Sequence, residues 1–116
     1  MNVATNLDVS AFYFPHQPAL SEADSEITYE ALNKRVNCIA TGLINMGIRP
    51  GEHIGICAPN SSDWISFYFG VLKAGAVAVT YSSLLSKDEL ALLVDHSRPR
   101  VMFTTDDKLS AFDSLR

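Results

Sequence analysis

The chain has 116 residues, of which 47% are hydrophobic and 19% charged, with a net charge of -4. That length allows one core at most, and the acidic balance argues against nucleic acid or an anionic lipid surface as a partner. Lys73 interrupts the longest apolar stretch and no basic segment precedes an apolar one at the N-terminus, so neither a membrane span nor a secretory leader is expected and the cytoplasm is the default compartment.

Apolar groups at Leu7, Val9, Phe12 and Tyr13 predict a short helix over residues 5–14, ending before Pro15. Residues 19–22 and 25–28 flank Ala23-Asp24 and predict a small hairpin. From Thr28 the period becomes helical, with Leu32, Val36, Ile39 and Leu43 on one stripe. Thr28 is the N-cap, Glu30 lies one turn before Lys34, and Gly47 offers a left-handed end. Pro50-Gly51 has tight-turn chemistry and leads into a buried strand from His53 to Ala58.

Asn60, Ser61 and Asp63 then open a helix that is apolar around nearly its whole circumference, running to Ala74 and stopped by Gly75. A helix without a polar face needs protein on several sides, more than a three-stranded fragment supplies. Val77 to Tyr81 forms the next strand. Ser86 to Glu89 has capping-box spacing and opens a third helix with Leu90, Leu93 and Val94 inward, ending near Pro99. Val101 to Thr104 is a third strand, and Asp106 caps a final helix marked by Leu109, Phe112 and Leu115, a pattern still running at Arg116.

Strand starts at His53, Val77 and Val101 are each 24 residues apart with a helix in every gap, the repeat of right-handed βαβ crossovers. The expected class is therefore α/β, a three-layer parallel sheet with a small N-terminal hairpin, organised as a single partial domain over residues 1–116.

Chemistry-bearing motifs are sparse. Gly70 to Gly75 has P-loop glycine spacing, but Ala76-Val77 stands where Lys-Ser/Thr is required and the glycines close a helix instead of opening one. Their expected roles are close packing for Gly70 and a helix cap for Gly75. His16, His53 and His96 are too dispersed for metal ligation, and helix capping accounts for Asp106 beside Asp107 without a magnesium ion. Cys38 and Cys57 are read as small core hydrophobes. Trp64, Phe67, Tyr68 and Phe69 have helical spacing and are read as packing groups. Ser82 and Ser83, just past the second strand, lie at the carboxyl edge of the sheet, where open α/β folds bind ligands, and are the candidate cofactor-binding residues. No catalytic or metal-binding residue is assigned.

Ile27-Thr-Tyr-Glu-Ala-Leu32, Gly47-Ile-Arg-Pro-Gly51, Pro59-Asn60-Ser61 and Leu72-Lys-Ala-Gly-Ala-Val77 together resemble the N-terminal lobe of the AMP-forming acyl-CoA synthetase and adenylating-enzyme superfamily, over roughly Pro18 to Thr105. The resemblance implies a parent that activates a carboxylic acid with ATP to an acyl-adenylate and passes the acyl group to coenzyme A or a carrier. It implies ATP, magnesium and CoA for that parent, and the remainder of the enzyme as partner. The family's phosphate loop, magnesium glutamate and C-terminal lysine have no counterpart within these residues, so the chain alone is expected to be an inactive scaffold. Thr80-Tyr81-Ser82-Ser83 departs from the Pro-x-Asn-Pro turn of many relatives, and Leu84-Leu85-Ser86 leans towards acyl- or aryl-CoA ligases. Apolar surface left bare by the missing part predicts self-association into a homo-oligomer. The competing reading is a free-standing flavodoxin- or receiver-like regulatory or binding domain.

Overall fold

The computed structural model describes residues 3–22 and 25–105. The element order is α1 (Val3–Tyr13), β1 (Pro18–Glu22), β2 (Ser25–Thr28), α2 (Tyr29–Asn45), β3 (His53–Cys57), α3 (Ser62–Lys73), β4 (Val77–Thr80), α4 (Lys87–Ser97) and β5 (Val101–Thr104). The three strand starts fall on the residues that the repeat specifies. The final helix expected after Asp106 lies outside the described residues.

Local chemistry accounts for each boundary. The Thr28 hydroxyl accepts from the Ala31 N–H at 3.2 Å, and Lys34 pairs with Glu30 at 3.2 Å. Helix α2 ends in a Schellman motif: Gly47 at φ +92° donates to Ile44 O, and Ile48 donates to Leu43 O. Helix α3 ends in the same way, with Gly75 at φ +82° donating to Leu72 O and Ala76 donating to Val71 O. In both motifs the bonded pair, Ile48 with Leu43 and Ala76 with Val71, is buried in one core. Ser86 and Glu89 complete a reciprocal capping box at α4, at 3.2 and 3.1 Å.

Strands β4, β3 and β5 pair in that order, both pairs parallel, while β1 and β2 form a separate antiparallel hairpin. Side chains alternate across the parallel sheet. Ile54, Ile56, Ala78, Val101 and Phe103 face α3 and α2, whereas Cys57, Val79, Tyr81 and Met102 face α4. The result is three layers, as a crossover to one side followed by a return past β3 requires. Outside α2, a smaller cluster joins Leu7 of α1 and Ala19, Leu20 and Ile27 of the hairpin to Leu32 and Val36.

Packing within the layers follows from small residues. A Cβ on Gly70 would collide with the Ile39 side chain, so glycine there sets how closely α3 approaches α2. The fully buried positions of α3 are Ser66, Gly70 and Val71, whereas Trp64, Phe67, Tyr68 and Phe69 are half-buried. Its narrow small-residue stripe is enclosed by this chain and its aromatic side is only partly covered. Cys57 is buried as expected, but Cys38 is exposed, because it falls off the Leu32–Val36–Ala40–Leu43 stripe of α2.

Candidate functional site at the carboxyl edge of the sheet

Two loops leave the carboxyl edge within reach of one another. After β3, Ala58-Pro59-Asn60 leads to Ser61, whose hydroxyl accepts from the Trp64 N–H at 3.2 Å and starts α3. After β4, Ser82 turns the chain: its hydroxyl accepts from the Leu84 N–H at 3.2 Å, and its carbonyl accepts from the Leu85 N–H at 3.3 Å and from Cys57 Sγ at 3.8 Å. Between the loops is an open cleft of ≈ 530 Å³ bordered by Pro59, Asn60, Trp64, Tyr81, Ser82 and Ser83. Ser82 and Ser83 thus stand at a concave surface, across from the Asn60 amide. Hydroxyl and amide groups against an indole wall suit holding and orienting a ligand. Among the described residues the lining of this cleft holds no carboxylate, histidine, lysine or cysteine, and the Tyr81 phenol is engaged with Ser97.

A second crevice lies at the topological switch point. The chain leaves β3 towards β4 and then returns past β3 to β5, so the strand order reverses between β3 and β5, which stay paired to their ends at Cys57 and Thr104, and the space beyond those ends is where open α/β sheets accept ligands. This crevice is ≈ 320 Å³ and is walled by Ile56, Trp64, Phe67 and Phe103, with Asp63, Thr104 and Thr105 at its polar margin. The hydroxyls of Thr104 and Thr105 are buried and have no hydrogen-bond partner among the described residues. A buried hydroxyl without a partner costs about 1–3 kcal/mol, so the site is incomplete in polar terms. Trp64 stacks on Tyr68 at 5.3 Å, which orients one wall, and at the margin Asp63 makes a solvent-exposed pair with Arg35 at 3.8 Å. The sequence reading missed the two threonines, which look like the ordinary end of a strand. The signal that exposes them is the strand order, and no residue pattern encodes it directly.

The remaining motifs resolve into structural roles. Gly70 and Gly75 pack and cap, leaving no phosphate loop. His53 Nδ1 donates to the Ser97 carbonyl at 2.8 Å and ties the start of β3 to the end of α4. Tyr81 Oη bonds Ser97 Oγ, which in turn donates to Leu93 O at 2.6 Å. Lys73 bonds Asp8 at 2.6 Å and fastens α3 to α1. At the opposite edge of the sheet Glu52 pairs with Arg100 at 2.8 Å and accepts from the Arg49 N–H at 2.6 Å. The Arg100 hydrogen bond, followed by that of Arg49, holds the Glu52 carboxyl below its ordinary range. Among the described residues no helix is long and apolar enough to cross a membrane.

The sequence profile of the AMP-binding enzymes matches residues 7–116. The chain belongs to the AMP-binding enzyme family. Among AMP-binding relatives, a linear gramicidin synthase of Brevibacillus parabrevis is 36% identical over 90 residues, which are 78% of this chain and 1% of that protein. Trichosetin synthetase PKS-NRPS1 of Gibberella fujikuroi is 41% identical over 86 residues, 72% of this chain and 2% of that protein. The anthranilate CoA ligase AuaEII, solved with anthranoyl-AMP, superimposes with a TM-score of 0.93 at 28% identity, covering 100% of this chain and 22% of that one. The chain therefore spans a small part of each relative, and its α/β architecture is that of the N-terminal domains of adenylate-forming enzymes. Family membership replaces the receiver-like alternative. The lean towards CoA ligases meets a mixed set, since the named relatives include both synthetases and CoA ligases.

Proposed function

We propose that this chain is the N-terminal scaffold of an ATP-dependent acid–CoA ligase that forms an acyl-adenylate, and that these residues alone do not catalyse. The observation that carries the reading is the superposition of the whole chain on an anthranilate CoA ligase at a TM-score of 0.93, across only 22% of that ligase. The chemistry of the carboxyl edge agrees. Among the described residues the cleft beside Ser82 and Ser83 is lined by neutral donors and apolar walls, without the lysine and carboxylate side chains that an adenylating site uses to stabilise charge on transferring phosphates. ATP, magnesium and CoA then belong to the longer polypeptide, with Ser82 and Ser83 as contacts on its rim. Apolar groups left bare in the isolated chain, among them Phe12, Leu84 and Leu92, promote self-association into homo-oligomers.

ATP–pyrophosphate exchange tests this reading with two proteins, the 116-residue chain and the full reading frame that carries it, each with aryl, fatty and amino acids. The expected result is acid-dependent exchange by the full frame only, followed by CoA-dependent release of AMP. Exchange by the chain alone overturns the scaffold role, and no exchange by the folded full frame overturns the ligase. The synthetase relatives favour one specific rival, a carrier thiol in place of CoA, and it is recognised by exchange that proceeds without acyl-CoA product.

A further inference from the structure

We infer that Tyr81 is a positioning residue for the carboxyl-edge cleft: its phenol, tied to Ser97 at the far end of α4, sets where Ser82 and Ser83 stand. The inference rests on the proposed function, in which those two serines are contacts on the rim of the enzyme's binding region. Tyr81 immediately precedes them, and it is only 5% exposed although it borders the open cleft. Its N–H donates to Ile56 O at 2.9 Å, which carries the pairing with β3 one residue past the end of β4. From that fixed backbone the ring turns away from the cleft and runs back along the α4 face of the sheet, where its hydroxyl meets Ser97 Oγ.

The path of the ring is built into the sheet. A Cβ on Gly55 would stand 2.9 Å from Tyr81 Cε2 and 2.6 Å from Met102 Cε, so the missing side chain in the middle of β3 is what lets an aromatic group from the end of β4 cross towards the start of β3. Ser97 stands at that end, since His53 Nδ1 donates to its carbonyl at 2.8 Å. The Ser97 hydroxyl donates its one proton to Leu93 O at 2.6 Å, so the phenol is the donor in its bond to Ser97. That proton is directed away from the cleft, and what the residue provides there is position. Beyond Tyr81 the loop closes on itself, with the Ser82 hydroxyl and carbonyl accepting from the Leu84 and Leu85 N–H groups. The Ser82 carbonyl also accepts from Cys57 Sγ at 3.8 Å, a weak thiol contact. A compact turn entered through one anchored residue moves as a unit, so releasing the ring at Ser97 displaces Ser82 and Ser83 together.

Steady-state kinetics of the full reading frame test this with Tyr81→Phe, Ser97→Ala and the two combined, which remove the same bond from one side or from both. The expected result is a KM for ATP, acid or CoA raised about three- to tenfold, the scale of one hydrogen bond, with kcat per folded enzyme within about twofold of the parent. Ser97 borders neither cleft, yet Ser97→Ala is expected to match Tyr81→Phe, and the double variant to be no worse than either, because one shared bond is lost only once. Ser97→Thr, which keeps a hydroxyl, is expected to retain the parent KM. Unchanged KM values, effects that add in the double variant, or an effect of Tyr81→Phe that Ser97→Ala lacks each overturn the inference. Amide exchange over residues 82–85 decides it without turnover: exchange about tenfold faster in both single variants is expected, and unchanged exchange overturns it. A full frame that turns nothing over but shows the faster exchange defeats the ligase reading alone, and an active one whose KM values are unmoved defeats only the inference.

Discussion

The two faces of the parallel sheet are held by different means. On one face Ile54 and Ile56 pack under α3, α3 packs on α2, and α2 carries α1 and the hairpin, so apolar layers follow one another outward. On the other face α4 rests on Cys57, Tyr81 and Met102 through Leu90 and Val94, and its end is pinned by polar contacts: His53 and Tyr81 on Ser97, with the Glu52–Arg100 pair just beyond. The first arrangement is a core, and the second is a lining without an outer layer among the described residues. On that side Leu92 and Leu93 of α4 stay exposed, and the helix is fixed by its caps and hydrogen bonds.

The contrast predicts unequal mutational costs. Ile56→Ala, under α3 and 1% exposed, is expected to cost about 2–5 kcal/mol in denaturant unfolding. A cost comparable to that of a surface substitution would show that the first face is not a consolidated core. Gly70→Val introduces branched carbons where Ile39 already stands, for an expected loss of about 1–3 kcal/mol. Retention of stability there would mean that α2 and α3 separate readily.

The polar pinning of the second face has a pH signature. Glu52 is held below its ordinary carboxyl value of 4.5, so its contribution is fully present above that pH and is lost as pH falls through the lower folded value. Glu52→Gln is therefore expected to flatten the acid limb of stability below about pH 4.5 and to leave its shape near neutrality unchanged. An unchanged acid limb would remove Glu52 from the account. Leu92→Ala, on the bare side of α4, is expected to shift the stability of this chain by no more than about 0.5 kcal/mol. A larger loss in the isolated chain would reveal a packed layer on the second face.

Most of the framework was legible because it is written in local chemistry. The capping groups Thr28, Ser61 and Ser86, the glycines Gly47 and Gly75, and the even spacing of His53, Val77 and Val101 each act through neighbours in sequence. The aromatic helix was recognisable as needing cover, but its deepest residues are Ser66, Gly70 and Val71, since small groups allow α2 to approach and the large rings are displaced to the flanks. Cys38 was misplaced because one helical step decides between stripe and solvent. At the carboxyl edge, Ser82 and Ser83 followed from the strand end before them. Thr104 and Thr105 did not, because their isolation depends on β5 lying across β3 from β4, a long-range choice that no local pattern records.

Trp64 is the only tryptophan in the chain and sits on the aromatic side of α3 between the two carboxyl-edge clefts. Acrylamide quenching of its fluorescence, followed through a dilution series into the monomeric range, reports whether this chain encloses its own aromatic helix. The account predicts an indole that acrylamide reaches, with red-shifted emission that grows on dilution. A blue-shifted, quench-resistant Trp64 in a monomer would show a closed shell and contradict the claim that these residues await the rest of an enzyme.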